Sequence, residues 1–439
     1  MKSRSTNHWR VVALLAAAAL SMSSLPAFAD HPEPAHAEDQ VVVKLKPGGV
    51  TTIGEINATW GTSTLDLVLA SRGIYLLQVG EGVDPATLAE DMGTDARLEY
   101  AEPNLPTYGT EFLSHFIYAW GDLLAAVPST DPSQFSSQYA VEMLGLSDNL
   151  PTGAGVTVAV IDTGVQLTHP LLRDRITSAR YDFVDDDTDP EDVGNGLDDD
   201  GDGLVDEAVG HGTHVASLVA LVAPDAQIMP LRVLDSDGGG NTFVLAEALA
   251  FAAEHGVRVI NLSLGSVNDS ELIEDLIEEL TEGGVVVVAA AGNSDSEQPL
   301  YPAASDEDVL AVAAIGPNYE KSPFSSYGSW VDLVAPGQQV YGAYPLDRWA
   351  WWGGTSLSAA MVSGQAALLF SVDSDLDTEE VGFLIKSTAV SVDSYNPDYP
   401  GLLGAGVPDP TRSIEALLSG ALEERDDNND DDEDDEDDD

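Results

Sequence analysis

Apolar residues occupy both faces of five short segments between positions 155 and 316. These segments are GVTVAVID, AQIMPLRVLD, VRVINLSLG, GVVVVAAAGN and VLAVAAIG. Stretches with helical spacing separate them, among them NTFVLAEALAFAAEHG and SELIEDLIEELTEGG. Strands that are apolar on both faces and alternate with helices are typical of a parallel sheet covered by helices on both sides. The pattern predicts a three-layer α/β domain, which we place at residues 136–422.

A smaller pattern precedes this domain. VVVKLKPG, IYLLQV and LEYAEPN have the composition of strands, and DPATLAEDMG has that of a short helix. Together they predict a small α+β unit over residues 40–106. Residues 107–135 are irregular and contain Pro, Ser, Gly and Asp, which predicts a linker and an arm that leads into the larger domain.

The chain of 439 residues is strongly acidic, with 76 Asp and Glu against 17 Lys and Arg and a net charge of −59. Nucleic acid and anionic membranes would repel it, so neither is an expected partner. Residues 426–439 are Asp, Glu and Asn alone, which predicts a solvated tail over residues 423–439. The remaining acidic excess fits adaptation to high salt or ordinary acidic solubility, and both interpretations stand at this point.

The first 29 residues have the features of an export signal. Basic residues precede the apolar run 11–20, and AFA at 27–29 fits an A-x-A cleavage site. A membrane anchor is the alternative, but the run is shorter than the ~20 residues that span a bilayer. We expect a signal peptide at 1–29, a linker at 30–39, and a secreted, monomeric protein without a membrane span. The chain has no cysteine, so bound metal is one substitute for disulfides.

Three chemically reactive residues stand at the ends of predicted elements. Asp162 ends the strand of VAVIDTG, His211 begins a helix in GHGTHVAS, and Ser356 begins one in GGTSLSAAMVSG. Taken singly, the aspartate could cap a helix, the serine could be a packing residue, and His211 with His214 could be a metal pair, although the H-E-x-x-H glutamate is missing. Together, an acid, a histidine and a serine are the groups that acyl transfer to a serine needs.

The motifs VAVIDTGV, GHGTHVAS and GGTSLSAAMVSG, in this order, resemble the active-site motifs of the subtilase family of serine endopeptidases. The resemblance implies a subtilisin-like fold with a mostly parallel central sheet. It also implies a small α+β (ferredoxin-like) propeptide domain that assists folding and inhibits the enzyme until a cut between about Asn104 and Ser137 removes it.

The resemblance further assigns roles to single residues. Asp162 would orient the histidine, His211 would be the general base and Ser356 the nucleophile. Asn293, at the end of GVVVVAAAGN, would donate a hydrogen bond to the oxyanion, although Gly-Asn is also a common turn. The sequence departs from the family at Ala360, where a proline usually follows four residues after the serine, and this change predicts a less rigid nucleophile turn.

Polypeptides are the expected substrates. By resemblance, two segments would line the primary specificity pocket and pair with an extended peptide: Ser263, Leu264 and Gly265, and Gly238, Gly239 and Gly240. Pairing through the main chain makes few demands on sequence, so the expected specificity is broad. Leu300 stands at the pocket floor, where the family commonly has a small residue, and it predicts a shallow pocket that handles bulky aromatic side chains less well.

A densely acidic stretch lies between Asp162 and His211. It contains D-x-D-x-D-G, in which alternate carboxylates can converge on one Ca²⁺ while the glycine permits a sharp turn. Position 12 of an EF-hand would be Val209, so the loop is not a complete EF-hand, but a similar acidic insertion occurs in many subtilases. A solvated acidic loop is the alternative. The expected ligands of a structural Ca²⁺ are Asp198, Asp200, Asp202, the carbonyl of Leu204, and Asp206.

The sequence as a whole favours an exported, calcium-stabilised serine endopeptidase made as a self-processing zymogen. An inactive binding module with the same fold is the alternative, but such a module has no reason to keep all four predicted catalytic residues. An acidic calcium-buffering protein is a third hypothesis, and it leaves the three motifs unexplained.

Overall fold

The computed structural model describes residues 39–111, 126–305 and 309–422. The predicted signal peptide at 1–29 and the predicted acidic tail at 423–439 lie outside the described residues. The same is true of residues 30–38 of the predicted first linker and of 112–125 in the predicted second one.

Strands and helices alternate through most of the described chain. The strands are β1 Gln40–Leu45, β2 Ser63–Asp66, β3 Ile74–Gln78, β4 Leu98–Pro103, β5 Pro106–Gly109, β6 Val127–Ser129, β7 Thr157–Asp162, β8 Tyr181–Asp182, β9 Gln227–Arg232, β10 Gly239–Asn241, β11 Val259–Leu262, β12 Leu264–Gly265, β13 Val286–Ala290, β14 Val309–Ile315, β15 Leu333–Pro336, β16 Val340–Tyr344 and β17 Arg348–Trp352. The α-helices are α1 Ile53–Trp60, α2 Pro85–Met92, α3 Tyr139–Met143, α4 His211–Val222, α5 Thr242–Glu254, α6 Glu271–Glu282, α7 Thr355–Val372, α8 Thr378–Ser387 and α9 Pro410–Ser419. Two 3-10 helices are Val68–Arg72 and Pro132–Ser137.

The centre of the large domain is a parallel sheet, as predicted. Its seven strands run in the order β15-β14-β13-β11-β7-β9-β8, and each neighbouring pair is parallel. Every residue of β11, β13 and β14 is buried, which explains their uninterrupted apolar sequences. The two edge strands were not predicted, because β8 has two residues and β15 has four, too few to form a recognisable pattern.

The sheet separates two layers of helices. Along β7, Val158 and Val160 pack into the core that contains α4 and α7, whereas Ala159 and Ile161 pack into the core that contains α5 and α6. Successive side chains of a strand point to opposite faces, so one apolar strand supplies both cores. The three-layer architecture follows from this alternation.

Helix α7 is long and apolar enough, by length and composition, to cross a membrane, and it is the one such helix among the described residues. We expected no membrane span after the N-terminal signal, and α7 contradicts that expectation in length and composition. However, 89% of this 18-residue helix is buried inside the protein. A helix surrounded by other elements is apolar on all sides, and α7 packs against α4 and against β13 and β14.

The small N-terminal unit has the predicted α+β architecture. Its antiparallel sheet has the order β2-β3-β1-β4, and α1 and α2 complete a β-α-β-β-α-β unit of the ferredoxin-like type with its own core. Helix α1 was not predicted. It begins with a capping box formed by Thr52 and Glu55, but only Ile56 is fully buried, so the helical pattern in the sequence is weak.

Strand β5 follows the small unit and lies between two strands of the large domain. It pairs antiparallel with β10 on one side and with β12 on the other. The predicted boundary between residues 106 and 107 therefore falls inside a strand, and the first residues of the predicted linker belong to it. PTYG has no alternating pattern of its own, because its strand conformation depends on the edges that the other segments provide.

The small unit also contacts the start of two helices of the large domain. Asn104 Oδ1 accepts hydrogen bonds from Phe243 N at 3.0 Å and from Thr242 Oγ1 at 3.1 Å, at the first turn of α5. Glu102 Oε1 accepts from Ser270 Oγ at 2.6 Å, just before α6. Helix N-termini favour such acceptors because their first N–H groups have no partner within the helix.

Candidate active site

Asp162 and His211 meet at the carboxyl end of the central sheet. Asp162 is the last residue of β7, His211 is the first of α4, and Asp162 Oδ1 lies 2.7 Å from His211 Nδ1. Both side chains are fully buried. Residues at this end of a parallel sheet converge because the strands run in the same direction.

Two further residues fix the turn that carries His211. Thr163 Oγ1 accepts from Gly212 N at 3.0 Å, while its own N–H donates to Asp162 Oδ1 at 2.7 Å. Asp192 accepts from Gly210 N at 2.8 Å and from Thr213 Oγ1 at 2.6 Å. Burial raises the pKa of Asp192 to about 6, against these hydrogen bonds, which favour the charged form. Asp192 was not predicted, since 18 residues separate it from the nearest residue that it binds.

His214 does not join His211 in a metal pair. It lies one turn further along α4, where its ring packs edge-on against Trp352 with 5.7 Å between ring centroids. Neither of its ring nitrogens has a hydrogen-bond partner among the described residues. Burial and the nearby His211 lower the pKa of His214 to about 3, which keeps the ring neutral at ordinary pH. It is a buried packing residue.

Ser356 and Asn293 approach the same point from the other side. Ser356 is the second residue of α7, after Gly354 with φ 154°. Thr355 N donates to Asn293 Oδ1 at 2.9 Å, and Gly292 N donates to Thr355 Oγ1 at 3.0 Å. With its oxygen held in this way, the Asn293 amide directs Nδ2 toward the cleft, where Nδ2 lies 3.2 Å from Thr110 Oγ1.

A buried lysine holds the turn that follows Asn293. Lys321 Nζ donates to Asp295 Oδ1 at 2.6 Å and to the carbonyl oxygens of Ser322 and Ser325 at 3.1 and 2.8 Å. Its side chain is only 3% exposed. Asp295 N in turn donates to Phe324 O at 2.7 Å, so the two segments are bound to each other at several points.

The predicted peptide-binding residues line a cleft that contains β5. Gly239 pairs with Tyr108 and Gly240 with Thr107 on one side, and Leu264 pairs with Gly109 on the other. The remaining contacts are made at the end of the strand. Gly109 N donates to Gly238 O at 3.0 Å, Thr110 N donates to Ser263 O at 3.4 Å, and Gly265 pairs with Tyr108. All six predicted residues thus contact an extended segment of this same chain.

Glu111 follows Thr110 and lies against the candidate catalytic residues. Its Oε2 lies 2.9 Å from His211 Nε2 and 2.7 Å from Ser356 Oγ. Thr110 Oγ1 lies 2.8 Å from Ser356 Oγ. Burial disfavours a charged imidazole, but the carboxylates of Asp162 and Glu111 outweigh it and hold the pKa of His211 well above its usual value. Sequence reasoning missed Glu111, because nothing in its neighbourhood marks it as part of a site.

Leu300 lies beside two glycines of the cleft. A Cβ at Gly265 would be 2.7 Å from Leu300 Cδ2, and one at Gly292 would be 3.1 Å from it. Leu300 is 5% exposed. It occupies the space between the segment of Gly265 and the turn of Asn293, where a smaller side chain would leave room.

The acidic loop brings three of the five predicted metal ligands together. Carboxylate oxygens of Asp198, Asp200 and Asp202 lie within 4.8 Å of one another. Burial raises the pKa of Asp200 to about 6, and the neighbouring carboxylates add to this effect. A cation would relieve the repulsion among them, so these residues fit Ca²⁺.

The other two predicted ligands have other contacts. Asp206 is not one of these three, and its Oδ1 accepts from the N–H groups of Asn195 and Gly196 at 2.8 and 3.0 Å. Leu204 contributes its N–H to Asp202 Oδ1 at 2.7 Å.

Comparison with known proteins matches two parts of the chain to sequence families. Residues 153–434 match the sequence model of the subtilase family, and residues 24–104 match that of the fervidolysin N-terminal prodomain. A thermophilic serine proteinase of Bacillus sp. (strain AK1) is 32% identical over 353 residues, which are 78% of this chain and 80% of that protein. Thermitase of Thermoactinomyces vulgaris is 37% identical over 253 residues, 55% of this chain and 85% of that protein.

Solved structures share the fold. Fervidolysin from Fervidobacterium pennivorans, described as a keratinolytic enzyme related to subtilisin, aligns with a TM-score of 0.69 and 21% identity. The alignment covers 87% of this chain and 61% of that chain. A cold-adapted subtilisin-like serine proteinase aligns with a TM-score of 0.52 and 29% identity, over 62% of this chain and 96% of the other.

The fold and these matches define a subtilisin-like serine endopeptidase with an N-terminal prodomain. The chain belongs to the subtilase family.

Proposed function

We propose that this protein is a secreted serine endopeptidase that cleaves polypeptides by acyl transfer through Asp162, His211 and Ser356. The observation that supports this proposal best is strand β5. A segment of the chain lies in the cleft as an extended peptide, is paired on both sides, and ends at Ser356. A cleft that holds one peptide in this way can hold another.

The geometry is suited to each step of the reaction. Ser356 Oγ attacks the carbonyl carbon of the bound peptide, and His211 Nε2 takes the hydroxyl proton. Asp162, at 2.7 Å from Nδ1, holds the ring and stabilises its charged form. Asn293 Nδ2 donates to the oxyanion that develops at the carbonyl. His211 then gives its proton to the leaving amine, and water releases the acyl group from Ser356.

A fluorophosphonate probe tests this function directly, because it reacts only with an activated serine. We expect the protein freed of residues 1–110 to be labelled at Ser356, as shown by mass spectrometry of the modified peptide. A folded protein that stays unlabelled would instead support the inactive binding module.

We also propose that the N-terminal unit is an inhibitory propeptide of this enzyme. Strand β5, which directly follows this unit, lies in the cleft, and basic residues of the unit contact acidic ones on the large domain. Lys44 Nζ lies 2.6 Å from Asp275 Oδ2, and Arg72 Nη2 lies 2.9 Å from Glu279 Oε1. The enzyme would therefore be made as a zymogen that cuts its own chain.

We further propose export by residues 1–29 and activity as a monomer, without nucleic acid or a membrane span.

Calcium is the proposed structural cofactor, held by Asp198, Asp200 and Asp202. Ca²⁺ at 100 times its Kd stabilises a folded protein by about 2.7 kcal/mol, which should raise Tm by roughly 5–10 °C. We expect this rise in a thermal melt of the parent protein and its loss in Asp200→Asn. Asp148→Asn, which changes an exposed aspartate outside the loop, should keep it. Isothermal titration without Ca²⁺ binding would refute the proposal.

Leu300 is proposed to limit the primary pocket to small side chains. Leu300→Ala should increase kcat/KM roughly tenfold or more for peptides with Phe or Tyr at the cleaved residue. Rates on peptides with Ala or Thr there should change little, which serves as the control. A parent profile already dominated by Phe and Tyr would contradict this proposal.

A further inference from the structure

We infer that the carboxylate of Glu111 keeps the uncut chain inactive through its contacts with His211 and Ser356. We also infer that the Thr110–Glu111 peptide bond is the first one cut. This inference rests on the proposed function and concerns the regulation of the same site. In the following, the contact of Glu111 with His211 and Ser356 is called the latch.

The position of Glu111 is fixed by the strand that precedes it. Gly109 and Thr110 donate their N–H groups to Gly238 O and Ser263 O, one on each side of the cleft. The next residue must then enter the space between α4 and α7. There Glu111 is 2% exposed, and its carboxyl group lies against Gly354, where any Cβ would collide with it.

The latch prevents His211 from acting as a base. A carboxylate oxygen lies 2.7 Å from Nδ1 and another lies 2.9 Å from Nε2. Because carboxylates only accept hydrogen bonds, both ring nitrogens must carry protons, and the ring is an imidazolium. An imidazolium cannot take the proton of Ser356, whose hydroxyl itself donates to Glu111 Oε2 at 2.7 Å.

Thr110 engages the remaining catalytic group. Its hydroxyl lies 3.2 Å from Asn293 Nδ2 and 2.8 Å from Ser356 Oγ. The proposed oxyanion donor is therefore bound by a side-chain oxygen instead of a reacting carbonyl. The adjacent side chains of Thr110 and Glu111 thus contact the proposed base, nucleophile and oxyanion donor. Their backbone is paired with the cleft as a substrate backbone would be.

The register identifies the bond that is cut once the latch opens. Among the described residues of this segment, Thr110 is the last whose N–H pairs with the cleft wall, at 3.4 Å from Ser263 O, so the inferred target of Ser356 is the Thr110 carbonyl. Ser356 Oγ adds to that carbonyl carbon and its proton moves to His211 Nε2. The C–N bond to Glu111 breaks, and Glu111 leaves as an amine with that proton. Water then hydrolyses the ester, which leaves Thr110 with a free carboxylate.

The other groups near the pair do not replace the latch. Asp162 is bonded to Nδ1, His214 is neutral, and Asp192 is directed to the base of the α4 turn. Helix α7 contributes the uncharged Thr355 and Ser356, the β13 turn contributes Asn293, and Trp352 packs edge-on against the His211 ring. Among the contacts described here, Glu111 is the carboxylate within hydrogen-bond distance of His211 Nε2.

The latch should make self-cleavage depend on pH. Burial opposes a charged Glu111, but His211 and the hydroxyl donors keep the pKa of Glu111 below its usual value. The pKa of His211 is raised. The ion pair is therefore intact between these two values and is lost as the pH rises through the pKa of His211, so the cut should accelerate on the alkaline side.

The first experiment follows the imidazole of His211 by NMR in full-length Ser356→Ala protein, which cannot cut itself. The protein is labelled with ¹⁵N-histidine, and the His211 signal is assigned by its loss in His211→Gln. We expect Glu111→Gln to lower the pKa of His211 by at least about one unit, a tenfold change in proton affinity. Glu111→Ala should do the same. Glu99→Gln, which removes a carboxylate of β4 that lies 3.5 Å from Lys44 Nζ, should leave the pKa of His211 unchanged. Equal titration in all these proteins would overturn the latch.

The second experiment follows self-cleavage with Ser356 intact, from pH 6 to 10. Glu111→Gln should be cut at least tenfold faster than the parent near pH 7, with its alkaline onset at lower pH and a new N-terminus at position 111. Unchanged rates or a new N-terminus elsewhere would overturn the inference. No cleavage in either protein, with no fluorophosphonate labelling of the protein freed of residues 1–110, would instead refute the proposed function, and the NMR titration would still decide on the latch.

Discussion

Ser356→Ala is expected to abolish self-cleavage of the full chain and all labelling by a fluorophosphonate. The nucleophile, the base and the orienting acid act as a unit, so removal of the serine leaves only the contribution of binding and of the oxyanion donor. In subtilisin, a relative by family, the corresponding loss in kcat is on the order of 10⁶-fold. The measurements are the intact mass of the purified chain over time and the labelled fraction.

Ser358→Ala is the matched control for this variant. Ser358 lies two residues further along α7, is equally buried, and donates to the carbonyl oxygen of Ala335 at 3.0 Å. Its loss should lower stability by about 1 kcal/mol and leave processing intact. Comparable inactivation of both variants would mean that any change in α7 disables the protein, and residual cleavage in Ser356→Ala would exclude Ser356 as the nucleophile.

Asn293→Ala is expected to lower kcat by roughly 10²–10³-fold, or about 2.7–4 kcal/mol, with little change in KM. In the proposed role, Asn293 donates to a charge that exists only in the transition state, so its loss should not weaken binding of the ground state. The measurement is steady-state kinetics on a short peptide, with the protein freed of its first 110 residues.

Ser294→Ala tests whether such a loss is specific to the amide. Ser294 is in the same turn, and its hydroxyl lies 2.9 Å from Ser326 Oγ. Removal of that contact should lower Tm slightly and leave kcat near that of the parent. If both variants lost kcat equally, the effect would come from disorder of the turn, and a rise in KM that accounts for the whole loss would also contradict the oxyanion role.

Local sequence was sufficient for the inner part of the fold. The five predicted inner strands are those whose residues are buried on both faces. Because both faces are buried, these strands have unbroken apolar sequences. Edge strands such as β8 and the partly exposed helix α1 leave weaker patterns, so they were found only in the structure.

In the candidate site too, some residues could be predicted from the sequence and others were found only in the structure. Asp162, His211 and Ser356 could be predicted because each stands in a short glycine-rich motif at the end of a strand or the start of a helix. The structure brings the first two within 2.7 Å of each other. Asp192 and Glu111 are acidic residues among 76. They acquire a role only through contacts with residues 18 or more positions away.

By itself, the sequence determined the parallel sheet, the small α+β unit and the residues suited to acyl transfer, since each depends on burial or turn chemistry within a few neighbouring positions. Only the tertiary structure decided that β5 fills the cleft and that Glu111 reaches both His211 and Ser356. The reason is physical: β5 is held by backbone hydrogen bonds to two distant edges, and backbone groups are the same in every residue. Such pairing cannot be recognised in the sequence, although it places the Glu111 carboxylate against His211 and Ser356.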